Sequence, residues 1–224
     1  TFTNGFAAQG AGVQYGTLTN CIIVANFSSG SGYVYGGGTY YSDLYSCEIK
    51  DNVVRGSDAY AGGCYYGTRV NCVISGNTVE TTTRWAYGGG VYYGTSIGCL
   101  IVNNSIKASE TSSLSCYGGG SYYGTLRNCT VAGNRVPAGL TSAGVYNGSI
   151  YNSIVWENRT EANVLANHPG SSMYYSCSSP RPSGTSNINS NPLFIDNGNG
   201  NYQLQDNSPC INRGYNSYVE NQVD

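Results

Sequence analysis

Short extended stretches of alternating apolar and polar residues recur along the chain, and each is closed by glycine or asparagine. Gly118-Gly119-Gly120-Ser121-Tyr122-Tyr123-Gly124-Thr125-Leu126-Arg127-Asn128-Cys129-Thr130-Val131-Ala132-Gly133-Asn134 shows the pattern. Its pieces Ser121–Tyr123 and Cys129–Ala132 have the length and punctuation of strands joined by tight turns. No segment carries a 3.6-residue period with caps, so no long helix is predicted.

The alternation belongs to a repeat. A glycine is followed nine residues later by cysteine, serine in the last copy, and five residues after that by asparagine. The copies are Gly12/Cys21/Asn26, Gly38/Cys47/Asn52, Gly63/Cys72/Asn77, Gly90/Cys99/Asn104, Gly120/Cys129/Asn134 and Gly144/Ser153/Asn158. Length varies only between one asparagine and the next glycine, giving a period of 24 to 30 residues. A fixed block alternating with a variable segment means one repeated unit stacked coil on coil.

With coils in register, each strand pairs in parallel with its copy one coil on, which predicts an all-β parallel β-helix of about seven coils, with strands some 4.8 Å apart. If the cysteine points inward, period-two alternation turns Ile23, Ile49, Ile74, Ile101, Val131 and Val155 inward too, as the core. The asparagines then fall at a bend where stacked amides can bond to one another and to the turn backbone. The glycine runs at 36–38, 62–63, 88–90 and 118–120 precede tyrosine-bearing strands rather than a helix, so they read as corners needing positive φ or close approach, not as phosphate loops. Repeat grammar stops near Pro180-Arg181-Pro182-Ser183-Gly184. The expected division is residues 1–183 as coils and 184–224 as a closing segment over the last one.

Composition narrows the classes. Charged residues are 10% of 224, against 32 glycines and 22 tyrosines, which suits a rigid extracellular surface. The net charge of −2 gives no electrostatic reason to expect nucleic acid. The longest apolar run, Cys21 to Ala25, is too short to span a membrane. Phe2 aligns with the inward position of Ile23, so the chain is expected to begin inside a coil, as a piece of something longer. Nine cysteines is an odd number, leaving at least one unpaired or bonded elsewhere. Cys21, Cys47, Cys72, Cys99 and Cys129 should form an inward file, either as small buried hydrophobes or as a metal file, for which one histidine and no CxxC pair offer little support. No cofactor is expected on these residues. Cys177 and Cys210 lie outside the file and are the best candidates for a disulfide.

Two places could carry chemistry. The tyrosines seven and six residues before each cysteine form two files, and alternation should turn one of them outward. The candidate contact residues are Tyr40, Tyr65, Tyr92, Tyr122 and Tyr146, a strip suited either to sugar rings or simply to stabilising the sheet. In the variable segments Arg84 beside Trp85 is the most sugar-site-like pair. The outward positions Ile22/Val24, Val73, Leu100/Val102 and Ile154/Trp156 are unusually apolar, so either the tail, the favoured choice, or a neighbouring subunit covers them, or inside and outside are exchanged for part of the strand. His168 stands alone, and no acidic pair recurs at aligned positions of adjacent coils, as a glycoside hydrolase would need.

The motifs Gly-Gly-Gly-Val-Tyr-Tyr-Gly-Thr (88–95) and Leu-Arg-Asn-Cys-Thr-Val-Ala-Gly-Asn (126–134) resemble those of bacterial right-handed parallel β-helix repeat proteins, related in fold to pectate lyases and in repeat style to polymorphic outer-membrane proteins. Asn191-Pro192-Leu193-Phe194-Ile195-Asp196, Asn201-Tyr202-Gln203-Leu204 and Ser208-Pro209-Cys210-Ile211-Asn212-Arg213-Gly214 look like the closing segment of choice-of-anchor β-helix surface proteins. The resemblance implies right-handed coils in a secreted or cell-surface bacterial protein, a structural, adhesive or glycan-contacting rod. It also implies an alternative, a polysaccharide lyase with an Arg or Lys base beside calcium-holding acids, for which only Asp43, Glu48, Lys50, Asp51 and Arg55 offer a cluster. Self-association into filaments through an uncapped first coil is a further alternative.

Overall fold

The structure is a computed structural model that describes residues 1–108 and 115–219, apart from the side chains of residues 82–84. Parallel strands wind into a solenoid of about six turns, slightly fewer than expected. Four parallel sheets run its length, and each coil contributes to all of them in order. The six-stranded tyrosine sheet holds strands such as Thr39–Tyr40, Cys64–Tyr65 and Val91–Tyr92. The seven-stranded leucine sheet holds Asp43–Tyr45, Thr68–Val70 and Thr95–Ile97. The eight-stranded isoleucine sheet holds Glu48–Lys50, Val73–Ser75 and Leu100–Val102, and the nine-stranded variable sheet holds Val53–Tyr60 and Thr78–Tyr87.

Register follows the repeat. Ile23 pairs with Ile49, Ile49 with Ile74, Ile74 with Ile101, Ile101 with Val131 and Val131 with Val155. All six side chains are fully buried. Leu18, Leu44, Leu126, Ile150 and Met173 form a parallel file from the leucine sheet, and Val34, Val54, Val79, Ile106 and Val136 fill a second cluster under the variable sheet.

Strands this short can follow one another only if the backbone bends sharply between them, and most corners use a left-handed residue. Asn20, Ser46, Asn71, Gly98, Asn128 and Asn152 turn the chain just before the cysteine position, each with φ between 49° and 61°. Ala25, Asp51, Gly76, Asn103, Gly133 and Glu157 turn it just before the asparagine ladder. In the glycine triplets the roles divide. Gly36 takes φ +58°, whereas a Cβ on Gly37 would meet the Gly62 carbonyl oxygen at 2.4 Å and one on Gly38 the Gly63 oxygen at 2.7 Å, so those two permit close approach between coils.

The asparagine ladder is continuous. Asn52 Nδ2 donates to Asn77 Oδ1 at 2.9 Å and to the Ile23 carbonyl at 3.0 Å, while its backbone N–H donates to the same Asn77 oxygen at 3.1 Å. The same set recurs through Asn77, Asn104, Asn134 and Asn158, and Asn167 receives the last amide at 2.9 Å.

The cysteine file is also a hydrogen-bond ladder, which neither sequence reading anticipated. The N–H of Cys21, Cys47 and Cys72 each donates at 3.4 Å to the sulfur one coil on, and Cys47 Sγ donates to the Tyr45 carbonyl at 3.3 Å. At the end of the file Cys129 N donates to Ser153 Oγ at 3.0 Å, and Ser153 N to Ser176 Oγ at 3.1 Å. Serine in the last repeat copy keeps the hydrogen bonds and gives up only the apolar sulfur, so bonding is what that position requires.

One side chain breaks the leucine file. Arg69 sits in register between Leu44 and Ser96, is completely buried, and makes no ion pair among the described residues. Its guanidinium donates to Ser96 Oγ at 3.1 Å, to the Tyr66 carbonyl at 3.1 Å and to the Tyr93 carbonyl at 2.9 Å. Ser96 is small enough to leave room for it, and the two carbonyls belong to adjacent corners of the tyrosine sheet.

After the last coil, Ile188 forms one more parallel bridge with Cys177, and Asn187 Nδ2 donates to the Met173 carbonyl at 2.7 Å. An antiparallel hairpin of Phe194–Asp196 and Asn201–Leu204 then runs back along the outer face of the isoleucine sheet. There Tyr202 Oη donates to Asn103 Oδ1 at 3.5 Å, and the tail lies by Leu100, Thr130 and Ile154. The cover is partial: Ile22 and Val73, nearer the start of the chain, stay exposed.

Candidate functional site

Five corners between the tyrosine and leucine sheets are turned by Tyr15, Tyr41, Tyr66, Tyr93 and Tyr123, at φ between 48° and 58°. Bulky residues adopt this conformation rarely and at a cost, and glycine or asparagine would take it easily. Asn147 does so in the sixth coil, at φ 49°. The left-handed corner also breaks the alternation on which the sequence expectation relied. Val13, Cys64, Val91 and Val145 face the core, and the next two residues both face out, so both tyrosine files, not one, reach the surface.

Tyr40, Tyr65, Tyr92, Tyr122 and Tyr146, the expected contact residues, form the half-buried middle ladder. Successive centroids are 5.1, 4.9, 5.2 and 5.6 Å apart and ring planes differ by 11° or less. Tyr15, Tyr41, Tyr66, Tyr93 and Tyr123 form an outer ladder with spacings of 5.9, 4.9, 5.1 and 5.2 Å. Asn147 Nδ2 donates to Tyr123 Oη at 2.9 Å and ends it. The outward positions of the variable sheet add a third, Tyr35, Tyr60, Tyr87 and Tyr117, packed against the middle one, as Tyr87 against Tyr122 at 4.6 Å and Tyr117 against Tyr146 at 4.4 Å.

The result is a wall of phenol rings along one edge of the rod. Because rings within a ladder are stacked face to face, the wall offers solvent ring edges and hydroxyl groups, and free ring faces only at its ends. Burial, reinforced by neighbouring tyrosines, pushes the pKa of Tyr65, Tyr92 and Tyr122 up, and burial together with Asp58 does the same for Tyr60. Tyr87 is pushed up to about 12, again first by burial. These hydroxyls stay protonated at neutral pH and can both donate and accept.

Trp85 lies on the same outer face, two residues before Tyr87 and in register with Asp58 and Ser115, with 37% of its surface exposed. The side chain of its expected partner Arg84 lies outside the described residues. Asp58, beneath this face, is buried, and its Oδ1 has no hydrogen-bond partner among the described residues. From the sequence both tyrosine files were visible but only the inner one was taken as contact residues, Asp58 counted only as one of the displayed loop charges, and Arg69 passed unnoticed. The Tyr-Tyr doublet repeated before Gly or Ser was the available signal for the outer file.

Of the residues expected to serve a lyase, Lys50 and Glu48 pair with each other, while Arg55 and Asp43 turn to partners outside the cluster. Lys50 Nζ pairs with Glu48 at 2.8 Å, Arg55 Nε reaches Glu80 in the next coil at 2.7 Å, and Asp43 Oδ1 accepts the Thr68 N–H at 2.7 Å. The five do not converge because strand alternation and coil spacing aim the side chains along the sheets rather than toward one point. His168 Nε2 lies 3.0 Å from the Pro180 carbonyl.

Fold and surface together define a parallel β-solenoid protein. A family model described as NosD, periplasmic copper-binding protein, matches residues 4–204, and the chain belongs to that family. No curated protein and no solved structure matches it. Family membership supports the expected parallel β-helix and an exported setting; the finer likenesses to pectate-lyase and choice-of-anchor repeats are not confirmed. No helix among the described residues is long and apolar enough to cross a membrane.

The family's description overturns the expectation of no cofactor. The described residues nonetheless do not make an ordinary copper centre. No three His, Cys, Asp or Glu side chains among them are grouped to hold a metal ion. Met173 is buried in the core, and the file thiols of Cys47, Cys72 and Cys99 donate to carbonyl oxygens. Soft-metal sites need converging sulfur or imidazole donors, and a ladder holds its sulfurs in parallel instead.

Proposed function

We propose that this chain is a rigid rod displayed outside the cytoplasm, whose tyrosine wall lies along an extended, hydroxyl-rich polymer such as a glycan. The observation that carries the reading is the repeated use of a left-handed tyrosine at five successive corners where glycine or asparagine would be less strained. Strain repeated coil after coil is retained for something other than folding. The stacked faces favour hydrogen bonding by phenol hydroxyls and packing of ring edges along a chain parallel to the rod axis, rather than insertion of single sugar rings. A linear array of weak contacts gains strength by avidity along the polymer.

The test is retardation on immobilised or gel-embedded polysaccharides of differing composition, with the triple variant Tyr41→Ser, Tyr66→Ser and Tyr93→Ser as comparison. Retention of the wild type by at least one polymer, with about tenfold weaker binding by the variant, is expected. Equal retention of both proteins, or none of the wild type on any neutral or charged polymer, contradicts the reading.

A further inference from the structure

Cys177 differs from the file cysteines in where it points. It opens the strand Cys177–Ser178 and pairs in register with Ile154, the position after Ser153, so it belongs to the outward file of the isoleucine sheet. It is nevertheless buried, because the tail lies over it. The residue the tail brings there is Cys210, in the turn that follows the hairpin, and it faces Cys177 across one small cavity, while Cys177 Sγ donates to the Ser190 carbonyl at 3.2 Å. Both line a cavity of about 220 Å³ with Ile154, Leu204 and Arg213. In the file, sulfurs lie parallel, one coil above another; these two face each other from opposing segments.

We propose that Cys177 and Cys210 are oxidised to a disulfide that clasps the tail onto the outer face of the isoleucine sheet. The non-covalent contacts already set the geometry. Asn152 accepts from the Tyr215 N–H at 2.8 Å and donates to its carbonyl at 3.0 Å, and the Tyr215 ring stacks on Tyr175 at 4.9 Å. Tyr218 packs against Tyr151 at 4.7 Å. The neighbouring Cys177 thiol first, then Ser208 and Arg213, lower the pKa of Cys210, whereas that of Cys177 is raised, which makes Cys210 the first thiolate.

The oxidant is a small-molecule or protein disulfide, of the kind available in the oxidising compartment that the family's periplasmic description implies. Cys210 thiolate attacks one sulfur of the donor, breaking its S–S bond and releasing one donor thiolate. Cys177 loses its proton to that thiolate and displaces the second donor thiol from the mixed disulfide. Two protein thiols become one disulfide, and the donor disulfide becomes two thiols. The cross-link closes the loop from 177 to 210, which holds the whole hairpin, and so restricts the unfolded chain as well as the tail.

The experiment uses the full chain, incubated with oxidised glutathione, alkylated after denaturation, and mapped by chymotryptic digestion and mass spectrometry. A peptide containing Cys177 linked to one containing Cys210 is expected, with the other seven cysteines alkylated, together with a melting temperature roughly 5 °C or more above that of the reduced protein. Cys210→Ser, on a partly exposed tail position, should fold, melt like the reduced wild type and show no change with oxidant. Full alkylation of all nine cysteines after oxidation, linkages among the file cysteines instead, or a bridging soft-metal adduct on the two thiols would overturn the proposal. So would a linked pair with no rise in melting temperature, which would leave a bond without a clasp.

Discussion

The asparagine corner and the tyrosine corner occur in the same coils and obey the same stacking rule, yet they are built on opposite terms. At the first, Asn26, Asn52, Asn77, Asn104, Asn134 and Asn158 are buried, and their amides bond to the next amide and to a carbonyl of the preceding coil. The left-handed residue just ahead of each varies freely among Ala, Asp, Gly, Asn and Glu. At the second the left-handed residue itself is tyrosine in five coils, exposed at Tyr15, Tyr41 and Tyr123 and half-buried at Tyr66 and Tyr93. The first corner satisfies groups that burial would otherwise leave unpaired. The second accepts backbone strain to display a side chain, and the contrast separates what holds the rod together from what the rod presents.

The largest effect should come from breaking the buried ladder. Asn77→Ala removes an acceptor used by the Asn52 N–H and Nδ2 and the donor to Ile49 O and Asn104 Oδ1. With several buried groups orphaned at about 1–3 kcal/mol each, a loss of about 3 kcal/mol or more is expected in urea denaturation.

Alkaline titration comes next. Burial pushes the Cys64 thiol, one coil over from Thr39 and Val91, up to about 11 from 9.0, and the Cys116 thiol likewise to about 11. The folded chain holds these protons more tightly than the unfolded one, so their contribution is complete below pH 9 and is lost as pH rises toward 11. For Cys64 that is on the order of 2 kcal/mol. Cys64→Val, which matches Val91 in the same file, should move the alkaline unfolding midpoint upward; an unchanged midpoint would assign alkaline unfolding to other groups.

On the tyrosine side the effects should shrink outward. Tyr92→Ala empties the middle ladder between Tyr65 and Tyr122 and should cost about 1–2 kcal/mol through lost ring packing. Tyr66→Asn places at an outer corner the residue that Asn147 already uses, so stability should change by less than about 0.5 kcal/mol, or rise. A loss above about 2 kcal/mol there would mean that the outer ladder is structural after all, and would erase the contrast between the corners.

Much of this was legible in the repeat. The register of Ile49, Ile74 and Ile101, the amide ladder, and the need for glycine at 36–38 follow from spacing, because a stacked coil forces equivalent residues over one another. The apolar outer face at Leu100 and Ile154 also signalled that something lies on it. Other features were out of reach. Alternation put one tyrosine file outward, but a left-handed corner turned both, and no residue pattern announces positive φ at a tyrosine. Cysteine read as a small apolar filler, although Ser153 at the same position hinted at bonding. Nothing in the sequence marked Arg69 for burial, which its in-register neighbour Ser96, a coil away, makes room for. The charged residues of the second coil were read as one cluster, but only Lys50 and Glu48 meet, and the sheets aim Arg55 and Asp43 at partners elsewhere.

The amino-acid sequence by itself determined the coil, its period, and the aliphatic and amide columns, since these depend on a side chain recurring at a fixed distance along the chain. Which faces the tyrosines occupy, where the tail comes to rest, and that Cys210 meets Cys177 were decided only in three dimensions. They depend on how single residues turn the backbone and on contacts between segments with no periodic relation, and a one-dimensional pattern carries neither.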